Sequence, residues 1–198
     1  MGQESREFLP AARRGRRASG STIAFIVVHS MEWEGNRAAA QTGKWFQRAE
    51  SLGSTHLGVD DVSTHRYLED EVEARGCRPI NPSALHIEQA GFAAWDRDRW
   101  LEHEATIVRC AHAVATWCLS YDIPPRWLLP HDLQVGGPRP RRQQGITSHA
   151  NVAGAWGLSD HWDPGLGYPV DVLMAHVMGF IRRADVGRAG LEPATGGL

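Results

Sequence analysis

Ile23-Ala24-Phe25-Ile26-Val27-Val28 is apolar at every position and rich in β-branched residues. A strand covered on both faces reads this way, whereas a half-exposed strand alternates. The run is far short of the ~18 apolar residues that span a bilayer. It follows a basic segment, as a signal peptide would, but it ends at once in His29 and no small-residue cleavage pattern follows. It is therefore expected to be a buried strand of a protein made in the cytoplasm without a leader.

Beyond it the period changes. Ala39, Thr42, Trp45, Phe46 and Ala49 recur at three and four, predicting a helix over 36–51 that Gly53 stops. A short strand is expected over 54–60, then a polar, turn-prone stretch to about 83. Leu85-His86-Ile87-Glu88 alternates as a short strand should. Ile107, Val108, Ala111, Val114, Ala115 and Cys118 hold the 3.6-residue period of a helix over 101–121, which stops before Ile123-Pro124-Pro125. Residues 130–148, rich in Pro, Gly and Arg, are expected to be loop. A last helix starts at Tyr168-Pro169 and runs to about Arg183. Interleaved strands and helices of this kind predict an α/β domain of two or three layers. Its bounds are 21–185, with a basic flexible arm over 1–20 and a disordered tail over 186–198. The arm is either a solvated tail or a contact for an anionic partner.

A length of 198 residues suits one domain, and 42% apolar with 22% charged residues excludes a wholly disordered chain. The formal charge is 21 − 23 = −2, which excludes a polycation built to coat nucleic acid. Residues 1–17 hold five Arg against Glu4 and Glu7, a local +3, so the remainder carries −5. The three cysteines are too few for a disulfide framework. Cys110 and Cys118, eight apart on a helix, share one face and read as core. Ten histidines are many for this length and direct attention to metal or acid–base chemistry.

His29 stands where a buried strand emerges, a rigid place from which to face a cleft, although a satisfied edge histidine would stand there equally well. His149 and Asp163, 14 residues apart across a Gly- and Ser-containing segment, would complete a set of two imidazoles and one carboxylate. Hydrolytic zinc sites use three such ligands and a water, but ten histidines allow many triplets. Glu88 ends an apolar strand, either as a solvated charge or as a group held against the site.

Taken together, these segments resemble the type 2 N-acetylmuramoyl-L-alanine amidases, which share their fold with peptidoglycan recognition proteins. Ile26-Val27-Val28-His29-Ser30 resembles their first metal-binding strand. Ser54 to Asp60 resembles S-x-H-Y-x-V-D, and Asn81 to Glu88 resembles N-x-x-S-I-G-I-E. Gly145 to Val152 resembles G-I-x-x-H-x-x-V, and His161 to Pro169 resembles H-x-D-P-G-P-x-F-P. The order agrees along roughly residues 20–183, and the likeness is greatest to amidase domains of endolysins from phages of actinobacteria. The resemblance implies a central mixed β-sheet flanked by about three helices. It implies zinc held by His29, His149 and Asp163, with Glu88 supporting the catalytic water. His161 falls where many relatives carry a Lys that stabilises the oxyanion. Substrate contacts are expected from His56, Thr55 and Trp162, the last by stacking on sugar rings. Thr55 replaces a Tyr found in some relatives, His86 replaces a Gly, and Val72 to Cys77 replaces V-A-W-H-A in a wall of the groove.

The implied function is cleavage of the N-acetylmuramoyl–L-alanine bond of peptidoglycan by a monomer that binds no nucleic acid, does not insert stably into a membrane and reaches the cell wall after release. A peptidoglycan-binding module of the same fold without activity is the alternative. His65, His103, His112, His131 and His176 are expected on the surface or on helix faces.

Overall fold

The structure is a computed structural model that describes residues 8–136 and 143–189. The apolar run becomes β2 (Phe25–Ser30), buried throughout. It lies between two parallel neighbours, β6 (Ala84–Gln89) and β7 (Gly145–Ser148). A strand flanked on both edges and covered on both faces needs apolar residues everywhere, which is what the sequence supplies. β3 (Leu57–Val59) joins β6 in parallel, and β4 (Thr64–Arg66) closes that edge antiparallel to β3. The five-stranded order is β4-β3-β6-β2-β7, a mixed sheet as expected. A two-stranded ribbon pairs β1 (Gly15–Arg16) with β5 (Val72–Glu73).

Side-chain alternation sorts the sheet into two faces. Ile26, Val28, Leu85, Ile87 and Ile146 pack against α3 (Glu104–Tyr121) and α6 (Val170–Ala189) through Ile107, Val114, Leu173 and Val177. Phe25, Val27 and Ala84 face the other way, against Leu128, α4 (Pro130–Gly136) and α5 (His149–Trp156) through Leu133, Val152 and Ala155. A third cluster seats α1 (Ala38–Phe46) and the N-terminal segment around Tyr67. Cys110 and Cys118 lie in the core as their spacing implied, and Cys77 is buried beneath the sheet.

Several expectations change. Six α-helices, not three, are present among the described residues. The stretch 130–148, expected to be loop, contains α4 and β7, and its residues 137–142 lie outside the described residues. The helix expected over 101–121 is two: α2 (Arg97–Glu102), capped by Asp96, and α3, parted at His103. The arm expected over 1–20 is docked from residue 8. Leu9 and Ala11 are buried, and their amides donate to the carbonyls of Arg66 and Tyr67. The Arg17 guanidinium donates to the carbonyls of Pro82 at 2.6 Å and Ala84 at 3.0 Å. An arginine that covers backbone acceptors beside a strand end is a clamp, whatever its sequence neighbours suggest. Residues 1–7 lie outside the described residues, as do 190–198 of the expected tail, whose residues 186–189 belong to α6.

Candidate metal centre and cleft

β2, β6 and β7 point their carboxyl ends the same way. That end of a parallel sheet is where α/β proteins place their ligand sites. His29 is the fifth residue of β2 and follows Phe25 and Val27 onto the α5 face. β7 pairs with β2 up to Val28↔Ser148, so His149 comes next beside His29. Ser148 caps α5 by accepting from the Asn151 amide, which turns the chain so that His149 opens the helix at the sheet's end. The third group arrives by a loop. The Ala150 amide donates to the Asp163 carbonyl at 2.9 Å, tying that loop to the first turn of α5. Gly165 passes with φ +89 so close to the chain that a Cβ would lie 1.8 Å from the Ala93 carbonyl oxygen, so glycine is required there.

His29, His149 and Asp163 converge, with one ligand atom from each within 4.8 Å of the others, all three residues being buried. Asp163 Oδ2 lies 3.1 Å from His29 Nδ1, and its Oδ1 lies 3.2 Å from His149 Nδ1. Tetrahedral zinc with bonds of about 2.0–2.1 Å puts neighbouring donor atoms roughly 3.3 Å apart. The donor types suit such an ion, and each imidazole already stands at about that separation from one carboxylate oxygen. Burial alone would raise the Asp163 carboxyl's pKa. Hydrogen bonds from His149 and His29 outweigh it and hold the group well below the usual carboxylate range. Burial lowers the pKa of His149, so a neutral imidazole, the ligating form, is favoured.

Glu88 is the register partner of His29 on β6 and shares its face. It lines the same cleft of about 660 Å³ as the three ligands. Burial, then the charges of Asp163 and Glu32, raise its carboxyl well above the usual range. Its Oε2 is buried without a hydrogen-bond partner among the described residues. His161 stacks on His149 with ring centroids 4.2 Å apart and an interplanar angle of 10°. Its Nδ1 is 3.3 Å from Asp163 Oδ1. Thr55 and Trp162 line the cleft, Trp162 with half its surface exposed.

His56 does not reach the cleft. It is fully buried, stacked on His86 at 5.8 Å, with Nε2 donating to the Val72 carbonyl at 3.0 Å. Its amide donates to the His86 carbonyl at 2.9 Å, which seats it beside β6 in the interior. His65, expected on the surface, is also buried, and His103 pairs with Asp61 at 2.7 Å.

Glu32 was not singled out by its sequence context. It occupies a left-handed conformation with φ 52. Its Oε1 accepts from Ser30 Oγ and the Ala93 amide, both at 2.8 Å, and so fixes the cleft floor. No periodicity marks such a residue, since its role is set by a turn. Trp45 and Phe46, read as helix-face residues, also line the cleft.

Residues 19–166 match the family model described as N-acetylmuramoyl-L-alanine amidase. No curated protein matches the chain in sequence. Among solved structures, the hydrolase AmiA of Staphylococcus aureus, in complex with its ligand, superposes with a TM-score of 0.65 at 14% identity, covering 94% of this chain and 86% of that one. An AmpD derivative gives 0.59 at 18% identity, covering 89% and 96%. The N-acetylmuramoyl-L-alanine amidase LysC of Clostridium intestinale gives 0.52 at 11% identity, covering 88% and 99%. At these identities the likeness establishes the shared fold.

Proposed function

The chain belongs to the N-acetylmuramoyl-L-alanine amidase family, and from that premise we propose that it is a zinc-dependent peptidoglycan hydrolase of endolysin type. The bond cut joins the lactyl group of N-acetylmuramic acid to the L-alanine of the stem peptide. The observation that carries this reading is the convergence of His29, His149 and Asp163 in a cleft also lined by Glu88.

His29 and His149 through Nδ1, with the Asp163 carboxylate, would hold the ion. Zinc bound there supplies a Lewis acid for the scissile carbonyl and lowers the pKa of a water toward about 7. The remaining work falls to the chain. Glu88, with its carboxyl raised by burial, takes a proton from the attacking water and can return one to the departing alanine amine. His161 is held by its stack on His149 and by its Nδ1–H donating to Asp163, so the doubly protonated ring is the form that has an Nε2–H to give to the developing oxyanion. Thr55 forms part of the cleft wall. Trp162, on the rim, offers an aromatic face to a sugar ring or to the lactyl-peptide.

Purified cell wall digested with the protein should release free L-alanine amino termini without new reducing ends, and the protein should carry one zinc per chain. His29→Ala should lose both the zinc and the amine release. Reducing ends without free amines, or a full zinc equivalent retained by His29→Ala, would overturn the assignment.

A further inference from the structure

His86 is buried in the sheet face below the metal-ligand group and is not one of the ligands. Period-two alternation places Ala84, His86 and Glu88 on one face of β6, rising from the core toward the cleft. His86 pairs with Val27 across the parallel ladder, two residues below the His29↔Glu88 pair and on the same face. Its Nδ1 lies 3.1 Å from His29 Nε2. Room for the ring comes from Gly76, where a Cβ would lie 2.6 Å from that same Nδ1. On its other side the ring lies parallel to His56, with 6° between the planes. His56 is itself oriented: Nδ1 accepts from the His86 amide at 3.0 Å, and Nε2 donates to Val72.

We infer that His86 is a positioning residue that fixes the ring plane and tautomer of His29, and that Gly76 is the residue whose missing side chain admits it. The inference rests on the zinc reading above. His29 turns Nδ1 toward Asp163. If Nδ1 is the ligand atom, the ring's proton must sit on Nε2, and there it meets His86 Nδ1. His86 therefore accepts from His29 and carries its own proton on Nε2. A ligating imidazole whose second nitrogen is held this way keeps its orientation and gains basicity. Here the holder is another imidazole rather than a carboxylate or carbonyl.

A second observation argues against a filling role. His86 Nε2 is buried without a hydrogen-bond partner among the described residues. An apolar side chain would fill the same space without leaving a polar atom unpaired. Among the described residues the one hydrogen bond of the His86 side chain goes to His29, so the unpaired nitrogen is tolerated where it serves the ligand.

The test compares zinc affinity, by competition with a chromophoric chelator, for the full chain and four variants: His86→Ala, His86→Asn, Gly76→Ala and the Gly76→Ala/His86→Ala pair. Thermal melts of each chelator-stripped protein report folding separately. His86→Ala should weaken zinc binding by about 10–100-fold, the range for lost outer partners of a ligand. His86→Asn places an amide oxygen near the Nδ1 position and should restore most of that affinity. Gly76→Ala should weaken binding by displacing the ring, and it should add little once His86 is already Ala, a non-additivity expected only of coupled residues. His86→Ala holding zinc as tightly as the parent, or Asn faring no better than Ala, would overturn the inference. If His86→Ala does not fold, the Asn variant and Gly76→Ala decide: full affinity in Gly76→Ala, or affinity lost in a folded Asn variant, sinks it. A parent that takes up no zinc removes the metal reading and this inference together. A zinc-binding parent with an indifferent His86→Ala removes this inference alone.

Discussion

Glu88→Gln separates chemistry from architecture more sharply than any other change in the cleft. The substitution keeps the shape of the side chain and removes its capacity to take or give a proton. Glu88 sits one strand spacing from His29, about 4.8 Å across the ladder, as its register partner. Among the described residues its Oε2 makes no hydrogen bond that an amide would break. The carboxyl's raised pKa means that the neutral form is already tolerated at the site. The fold should therefore absorb the amide with little change, and the melting temperature and zinc content should stay near the parent's. The rate should not. A positioned acid–base group is worth about 10²–10⁴, or about 2.7–5.4 kcal/mol of barrier at 1.36 kcal/mol per decade. Glu88→Asp withdraws the carboxyl by one methylene, and a misplacement of about 1 Å can cost roughly 10², so its rate should lie between those of the parent and Gln. The assay is release of free amine from cell wall under saturating zinc, with metal content and a thermal melt on each protein. A Gln variant that is folded, fully loaded and within a few-fold of the parent's rate would return Glu88 to the status of a strand-end charge.

His161→Ala should cost about 10²–10³ in rate, the scale of one lost oxyanion donor, while zinc content is kept. His161→Lys should retain most of the activity, because an ammonium offers a donor to the same oxygen. An Ala variant as fast as the parent would leave the oxyanion to the metal alone. Acid should destabilise the fold through His56, whose pKa burial pushes down to about 4. The unfolded chain binds a proton near pH 6.5 and the folded chain does not, so stability is full above that pH. His56 should contribute a loss of up to about 1.4 kcal/mol per pH unit as pH drops from 6.5 toward 4, and His86 and His149, whose pKa values burial also lowers, add to the slope. Denaturant titrations of chelator-stripped protein across this window should show that His56→Gln flattens the slope, and an unchanged slope would exclude His56 as its source.

The strand core and the long helix were legible because each is specified by its own residues. Ile23 to Val28 can satisfy only a strand covered on both faces, and the apolar period from Ile107 to Cys118 can bury only one side of a helix. The family motifs were legible for a related reason: a metal centre demands particular atoms in a particular order along the chain. The misread segments take their form from distant partners. Gly145–Ser148 is four residues long and becomes a strand because β2 offers it an edge. Arg17 belongs to a segment that looks solvated until the carbonyls of Pro82 and Ala84 are placed beside it. His56 and His86 carried no sign that one would stack beneath the other, since 30 residues of chain separate them. His29 and Asp163 are 134 residues apart and meet at 3.1 Å. Local pattern selects which surfaces each element must bury. Which side chains then meet is decided by strand register and by loops closed across the whole chain, and a shift of one residue in β6 would turn His86 and Glu88 to the opposite face.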